Sequence, residues 1–186
     1  MKTHFDIEKL VEKGAIANEL DYERALVADR KLRLLSKENS YFKTLRLNLR
    51  NLIEKYEKAE WNNVADITDE KVLESEKAER IAEAERLFID KRKEEIKKKL
   101  KELDINQEDL ALLLGHRSKT HMSELINGIK PFTLKDLIII NRLLKIEITK
   151  LVPVYLSAED QIKVKEAVKK LDNPKVRLTS DDLILA

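Results

Sequence analysis

Residues 69–103 contain neither glycine nor proline, and the whole 186-residue chain holds only three of each. Proline removes a backbone donor and clashes inside a helix, and glycine raises the entropic cost of ordering one. Their scarcity, together with 39% charged residues, predicts an all-α chain. Apolar residues make up 42% of it, enough for a core, and with only 5% aromatic that core is aliphatic. A chain of this length holds one large domain or two small ones.

Caps and apolar periodicity place helices near residues 19–35, 41–60, 69–103, 107–114, 119–126, 134–145 and 158–171. Asn18 caps the first of these, with Glu19 and Asp21 at the positive end of its dipole and Tyr22, Ala25 and Leu26 as a narrow apolar face. Phe42, Leu45, Leu49, Leu52, Ile53 and Tyr56 stripe the second, and an antiparallel hairpin would bury both stripes. Trp61-Asn62-Asn63 marks a break. Thr68 caps a long helix, or two abutting ones. Its first part offers little beyond Val72 and Leu73 and reads as a solvated connecting helix held by i, i+4 ion pairs. Ile81, Ala84 and Phe88, then Ile96, Leu100 and Leu103, restore a packed face. Thr133 caps the helix to residue 145. Thr149 to Tyr155 reads as a short helix interrupted by Pro153, and Ser157–Asp160 as a capping-box start. The tail alternates at Val176 and Leu178, which suits a strand, a docking peptide or disorder.

Residues 106–130 carry the most specific pattern. Asn106 can cap a helix whose buried face is Leu110, Leu113 and Leu114, with small Ala111 where a second helix approaches. Gly115 ends it in the left-handed conformation that helix termini favour. Ser118 caps a second helix facing inward through Met122, Leu125 and Ile126, and Asn127-Gly128 stops it ahead of Pro131. This is a helix-turn-helix whose second helix begins with polar Lys119 and Thr120.

The order Gln107…Leu110-Ala111…Gly115…Ser118-Lys119-Thr120…Met122…Leu125…Asn127-Gly128 resembles the Cro/repressor type of helix-turn-helix, with a turn one residue longer than usual. Residues 16–26 and 51–57 resemble the helical N-terminal region of HigA-type antitoxins, and Phe132–Leu137 resembles the segment after the recognition helix in that family. The likeness touches residues 16–57 and 91–152; part of 66–90 exceeds what a short antitoxin of this type has. It implies an N-terminal helical hairpin and long connecting helix, then a five-helix DNA-binding domain with a C-terminal helix. It also implies a repressor that binds a palindromic operator as a homodimer, silences a HigB-like ribonuclease toxin and autoregulates its operon. A solitary regulator without a toxin and a helical adaptor are the alternatives. The corresponding division is 1–90 for partner binding and connection, 91–156 for DNA, and 157–186 for the C-terminal helix and tail.

On a helix lying in the major groove, Lys119 can donate to guanine and Thr120 can bond a base or touch a thymine methyl. Ser123 sits one turn further on. Glu124 is a further candidate, able to accept from cytosine, against the alternative of an ordinary exposed glutamate. Gln107 lies at a helix N-terminus suited to phosphate, and Arg117 and Lys130 flank the second helix as backbone contacts. With Ser118 and Asn127 these make the candidate DNA-binding set. A helical hairpin without a ligand is the competing reading. Net charge is only +2, but residues 91–130 hold ten basic and seven acidic side chains, whereas 61–90 hold four and nine. The basic excess therefore lies on the segment that would meet phosphate.

Other chemistry finds little purchase. Cysteine is absent, which excludes disulfides and thiol nucleophiles. His4, His116 and His121 lack the companion ligands of a zinc site, and the latter two are expected to face solvent or phosphate. There is no glycine-rich phosphate loop, no HExxH and no nucleophile elbow, so neither enzymatic activity nor a cofactor or metal is expected. No apolar run approaches a membrane span and the first residues are not a secretory signal, so a cytoplasmic protein without membrane partners is expected.

Overall fold

The computed structural model describes residues 5–37, 39–63, 67–153 and 158–177. These are all-α, with no strand among them. The helices are α1 (Ile7–Lys13), α2 (Glu19–Leu35), α3 (Ser40–Glu60), α4 (Asp69–Glu102), α5 (Gln107–Leu114), α6 (Lys119–Asn127), α7 (Leu134–Leu144), α8 (Ile148–Leu151) and α9 (Ala158–Leu171). Most start at a side-chain cap. Asp6, Asn18, Asn39, Thr68, Asn106, Ser118 and Thr133 each accept from a free backbone N–H of the first turn. α1 was not expected from periodicity. It is a two-turn helix that buries only Ile7 and Leu10.

Of the described residues, those up to 152 form one compact unit and those from 153 on a second. The first contains two apolar clusters. One gathers Ile7, Leu10, Ala25, Ala28, Leu32, Phe42, Leu45, Leu49 and Ile53 from α1, α2 and α3, and also takes in Ile129. The other gathers Ile96 and Leu100 of α4 with the buried faces of α5, α6, α7 and α8. Residue 90, where a functional division was expected, lies inside α4, which runs unbroken past both clusters.

The early part of α4, residues 69–80, is largely solvated, with Val72 and Leu73 exposed and Ala78 its one buried residue. Beyond it α4 lies along α2 and buries Ala82 and Ile89 as well. The inward face runs 78, 82, 89, 92, 96, 100 instead of through Ile81, Ala84 and Phe88, which are only half-buried. Ala25 and Ala28 on α2 meet it with side chains as small, so the backbones approach closely. Paired charges line the seam: Arg24 grips Glu85 through Nε at 2.8 Å and Nη2 at 2.5 Å, and Lys31 reaches Asp90 at 3.3 Å. Ser75 donates to buried Glu19 at 3.0 Å, and so does Tyr56. Near its other end α4 buries Arg92, which stacks over Phe132 and donates to the Leu151 carbonyl at 3.4 Å.

In the second unit α9 carries Lys169 and Lys170 in its last turn. A turn follows, in which Val176 N–H donates to the Asn173 carbonyl at 3.0 Å; Val176 is not in a strand. Leu178, Ser157 and the apolar run Leu183–Leu185 lie outside the described residues.

Candidate nucleic-acid interface

α5 and α6 pack against each other across the turn at residues 115–118. Asn106 accepts from the Glu108 and Asp109 N–H groups at 2.7 and 3.1 Å, and Asp109 accepts from Asn106 N–H at 2.8 Å, closing a capping box. Gly115 sits at φ +79°, where a Cβ would be strained, and lets its own N–H and that of His116 reach back to carbonyls of α5. The inward face of α5 is Leu110, Ala111 and Leu114; Leu113, expected inside, is exposed, as is Leu112. Ala111 replaces it because the close approach of α6 selects the small residue. α6 buries Met122, Leu125 and Ile126 as expected.

The nine candidate residues divide into two groups. Arg117, Ser118 and Lys119 are exposed, and Gln107 is half-buried beside them at the start of α5. Ser118 Oγ accepts from His121 N–H at 3.1 Å, and Lys119 Nζ lies 2.6 Å from Glu108 Oε1, tying the first turns of α5 and α6 into one edge. That hydrogen bond holds the Lys119 ammonium above its usual range.

The second group faces the protein. Thr120 Oγ1 accepts from Asn39 Nδ2 at 3.0 Å, at the N-terminus of α3. Asn127 donates to the Ser123 carbonyl at 2.8 Å and accepts from Lys93 Nζ of α4 at 2.7 Å. Glu124 is 3% exposed. Its carboxylate accepts from Tyr41 OH at 2.6 Å, lies 3.2 Å from Lys130 Nζ and 3.2 Å from His121 Nδ1. A buried carboxylate needs partners of this kind, and these leave it none to offer a base. The expectation of a cytosine contact is therefore corrected for this conformation. Lys130 is corrected likewise: its ammonium is clamped between Glu124 and Glu8 of α1 instead of standing free for phosphate.

The cluster of Glu8, Tyr41, Glu124 and Lys130 has its own electrostatics. Burial works to raise the Glu8 carboxyl, but hydrogen bonds from Lys130 and Tyr41 outweigh it and hold the group below its usual range. Burial works to lower Lys130, and contact with Glu8 and Glu124 raises it instead. Burial and the two carboxylates push the Tyr41 phenol far up, so it stays a donor. Its single proton serves Glu124 or Glu8, which lies 2.8 Å away, one at a time.

His116 and His121 also turn inward. His116 Nε2 lies 3.2 Å from Oδ1 of buried Asp136, and its ring meets that of His121 edge-on with centroids 4.9 Å apart. Sequence reasoning found none of Glu8, Asn39, Tyr41 and Lys93, the residues that engage α6. Each lies more than 25 positions from its partner, and no local pattern links them.

No family model, curated protein or solved structure matches the chain. No helix among the described residues is long and apolar enough to cross a membrane.

Proposed function

We propose that this protein is a sequence-specific duplex-DNA-binding repressor, working in the cytoplasm as a homodimer on a palindromic operator. The observation that carries this reading is the exposed edge of Arg117, Ser118 and Lys119 at the first turn of α6, set beside the capped N-terminus of α5. The N-terminus of α6 supplies positive potential, and Arg117 and Lys119 supply phosphate attraction against the Glu108 and Asp109 carboxylates of α5; base-reading helices use the same first turn. The resemblance to HigA-type antitoxins adds a HigB-like toxin as partner. An open groove of about 630 Å³, lined by Asn18, Lys55, Tyr56, Glu60, Lys71 and Glu74, offers it a place. The groove takes in the C-terminal end of α3, a 21-residue helix about 30 Å long whose other end touches α6.

A mobility-shift titration with the DNA upstream of its own gene tests the reading. Arg117→Ala and Lys119→Ala should each weaken binding and lower the slope of log affinity against log salt by about one. Lys130→Ala tests whether phosphate takes the place of Glu8 at its ammonium: the slope falls by about one if it does, and holds if the pairing with Glu8 and Glu124 persists. A second reading, a helical adaptor for other proteins, is favoured by the engagement of Thr120, Glu124 and Lys130 within the chain. Failure to shift either this DNA or a random-sequence duplex pool at low salt would select it.

A further inference from the structure

We infer that the N-terminal helices mask the DNA-reading face of α6, so that duplex DNA must displace α1 and the start of α3 to engage it. This rests on the DNA-binding reading above. With 3.6 residues per turn, Met122, Leu125 and Ile126 define the inner side of α6, and Thr120, Glu124 and Asn127 fall on the opposite side. That opposite side is the one a major groove would receive. Here Asn39 and Tyr41 at the start of α3 engage Thr120 and Glu124, while Asn127 is held by Lys93 of α4, which stays in place. Of the nine residues of α6 only Lys119 is exposed. A helix so enclosed cannot lie in a groove until something moves.

The contact is built to part. Between α6 with its following turn and the helices α1 and α3 the links are polar: Asn39 to Thr120, Tyr41 to Glu124, Glu8 to Lys130, and Ile7 N–H to the Ile129 carbonyl at 3.2 Å. Ile129 is the one side chain of this stretch that joins the N-terminal apolar cluster. Each polar link exchanges for water on opening, so its net worth is small, and inter-domain surfaces of this polar kind are the ones that move. Opening draws Ile129 out of the N-terminal apolar cluster, while the cluster of α5, α6, α7 and α8 need not be broken. Glu8 moreover places a carboxylate against Lys130, the residue flanking α6 that would otherwise meet a phosphate. The anion of the chain stands where the anion of the ligand would go, and binding becomes a competition. Apparent affinity then falls by the fraction of molecules that are open.

The chain has no cysteine, so a thiol pair can lock the mask specifically. Asn39→Cys with Thr120→Cys, bridged by a disulfide or a short thiol-reversible cross-linker, is titrated against a pool of random-sequence duplexes at low salt, before and after reduction. The locked form should bind at least about tenfold more weakly, and reduction should restore binding. In a second protein, Glu8→Gln, Asn39→Ala and Tyr41→Phe are combined to loosen the mask, and affinity should rise by about fivefold or more. Locked and reduced forms that bind alike overturn the mask and leave DNA binding standing. If no form binds the pool, the DNA reading itself fails and the mask fails with it.

Discussion

The side-chain amide of Asn39 donates to the hydroxyl of Thr120 at 3.0 Å, joining the cap of α3 to the first turn of α6. The two residues are 81 positions apart. Asn39 has a second duty, since its Oδ1 accepts from Tyr41 N–H at 2.9 Å and so starts α3. Asn39→Asp keeps the cap acceptor and removes the amide donor to Thr120. It should leave helix content unchanged and cost less than Asn39→Ala, which loses both functions and about 1–2 kcal/mol. Urea unfolding followed by circular dichroism checks the order; equal losses would show that the contact with Thr120 dominates.

Glu124 is the buried charge on which the α6 face is organised. Glu124→Ala removes one of the two acceptors of Tyr41 and one of the two carboxylates at Lys130, and opens a cavity where a buried side chain stood. A loss of about 2–4 kcal/mol is expected, against about 1–2 kcal/mol for Tyr41→Phe, which leaves Glu124 its other partners. Paired denaturant curves measure both.

The Glu8–Lys130 contact sets two pH limits. Glu8 is held below 4.5, so its contribution is complete above that value and is lost as pH falls through its lower folded value. Lys130 is held above 10.5, so its contribution is complete below that value and is lost as pH rises through its higher folded value. Glu8→Gln should therefore lower the melting temperature at neutral pH and narrow its gap to the wild type as the pH is taken towards 3. A gap that stays constant under acid would show that the Glu8 charge contributes nothing.

The α2–α4 seam is built on small side chains. Ala28 is 2% and Ala82 3% exposed, and each lies where the two backbones run close. Ala28→Leu or Ala82→Leu should cost about 1–3 kcal/mol through overpacking. Leu73→Ala on the outer face of α4 should stay within about 0.5 kcal/mol. Thermal melts of the three variants separate these cases.

Gly115 turns the chain between α5 and α6 at positive φ, and nothing lies within 4 Å of the place its Cβ would occupy. Gly115→Ala should thus suffer only backbone strain, about 1–2 kcal/mol, and Gly115→Asn less, because asparagine tolerates that conformation. Equal losses from both would point to a packing role instead.

What the sequence determined by itself is what near neighbours decide. Asn18, Thr68, Asn106, Ser118 and Thr133 fix helix starts because a cap acts within three residues, and Gly115 and Gly128 fix ends because a left-handed residue acts within one turn. The stripe of α3 was legible because large aliphatic side chains repeat at helical spacing. The face of α4 was not, because alanine reads as neutral in such a pattern and turns inward only when a partner helix with equally small residues lies against it. α1 carried local signals, the Asp6 cap and left-handed Gly14, but seven residues with two buried side chains are too short to show a periodic stripe. The tertiary structure alone decided the state of α6. Lys119 stayed outside, its exposed ammonium paired with exposed Glu108 of α5. Glu124 and Lys130 look like surface charges in sequence, since polar residues reveal no partner through periodicity. Their burial comes from Glu8 and Tyr41, brought to them by the packing of distant helices, and that long-range meeting of charges is what no local pattern encodes.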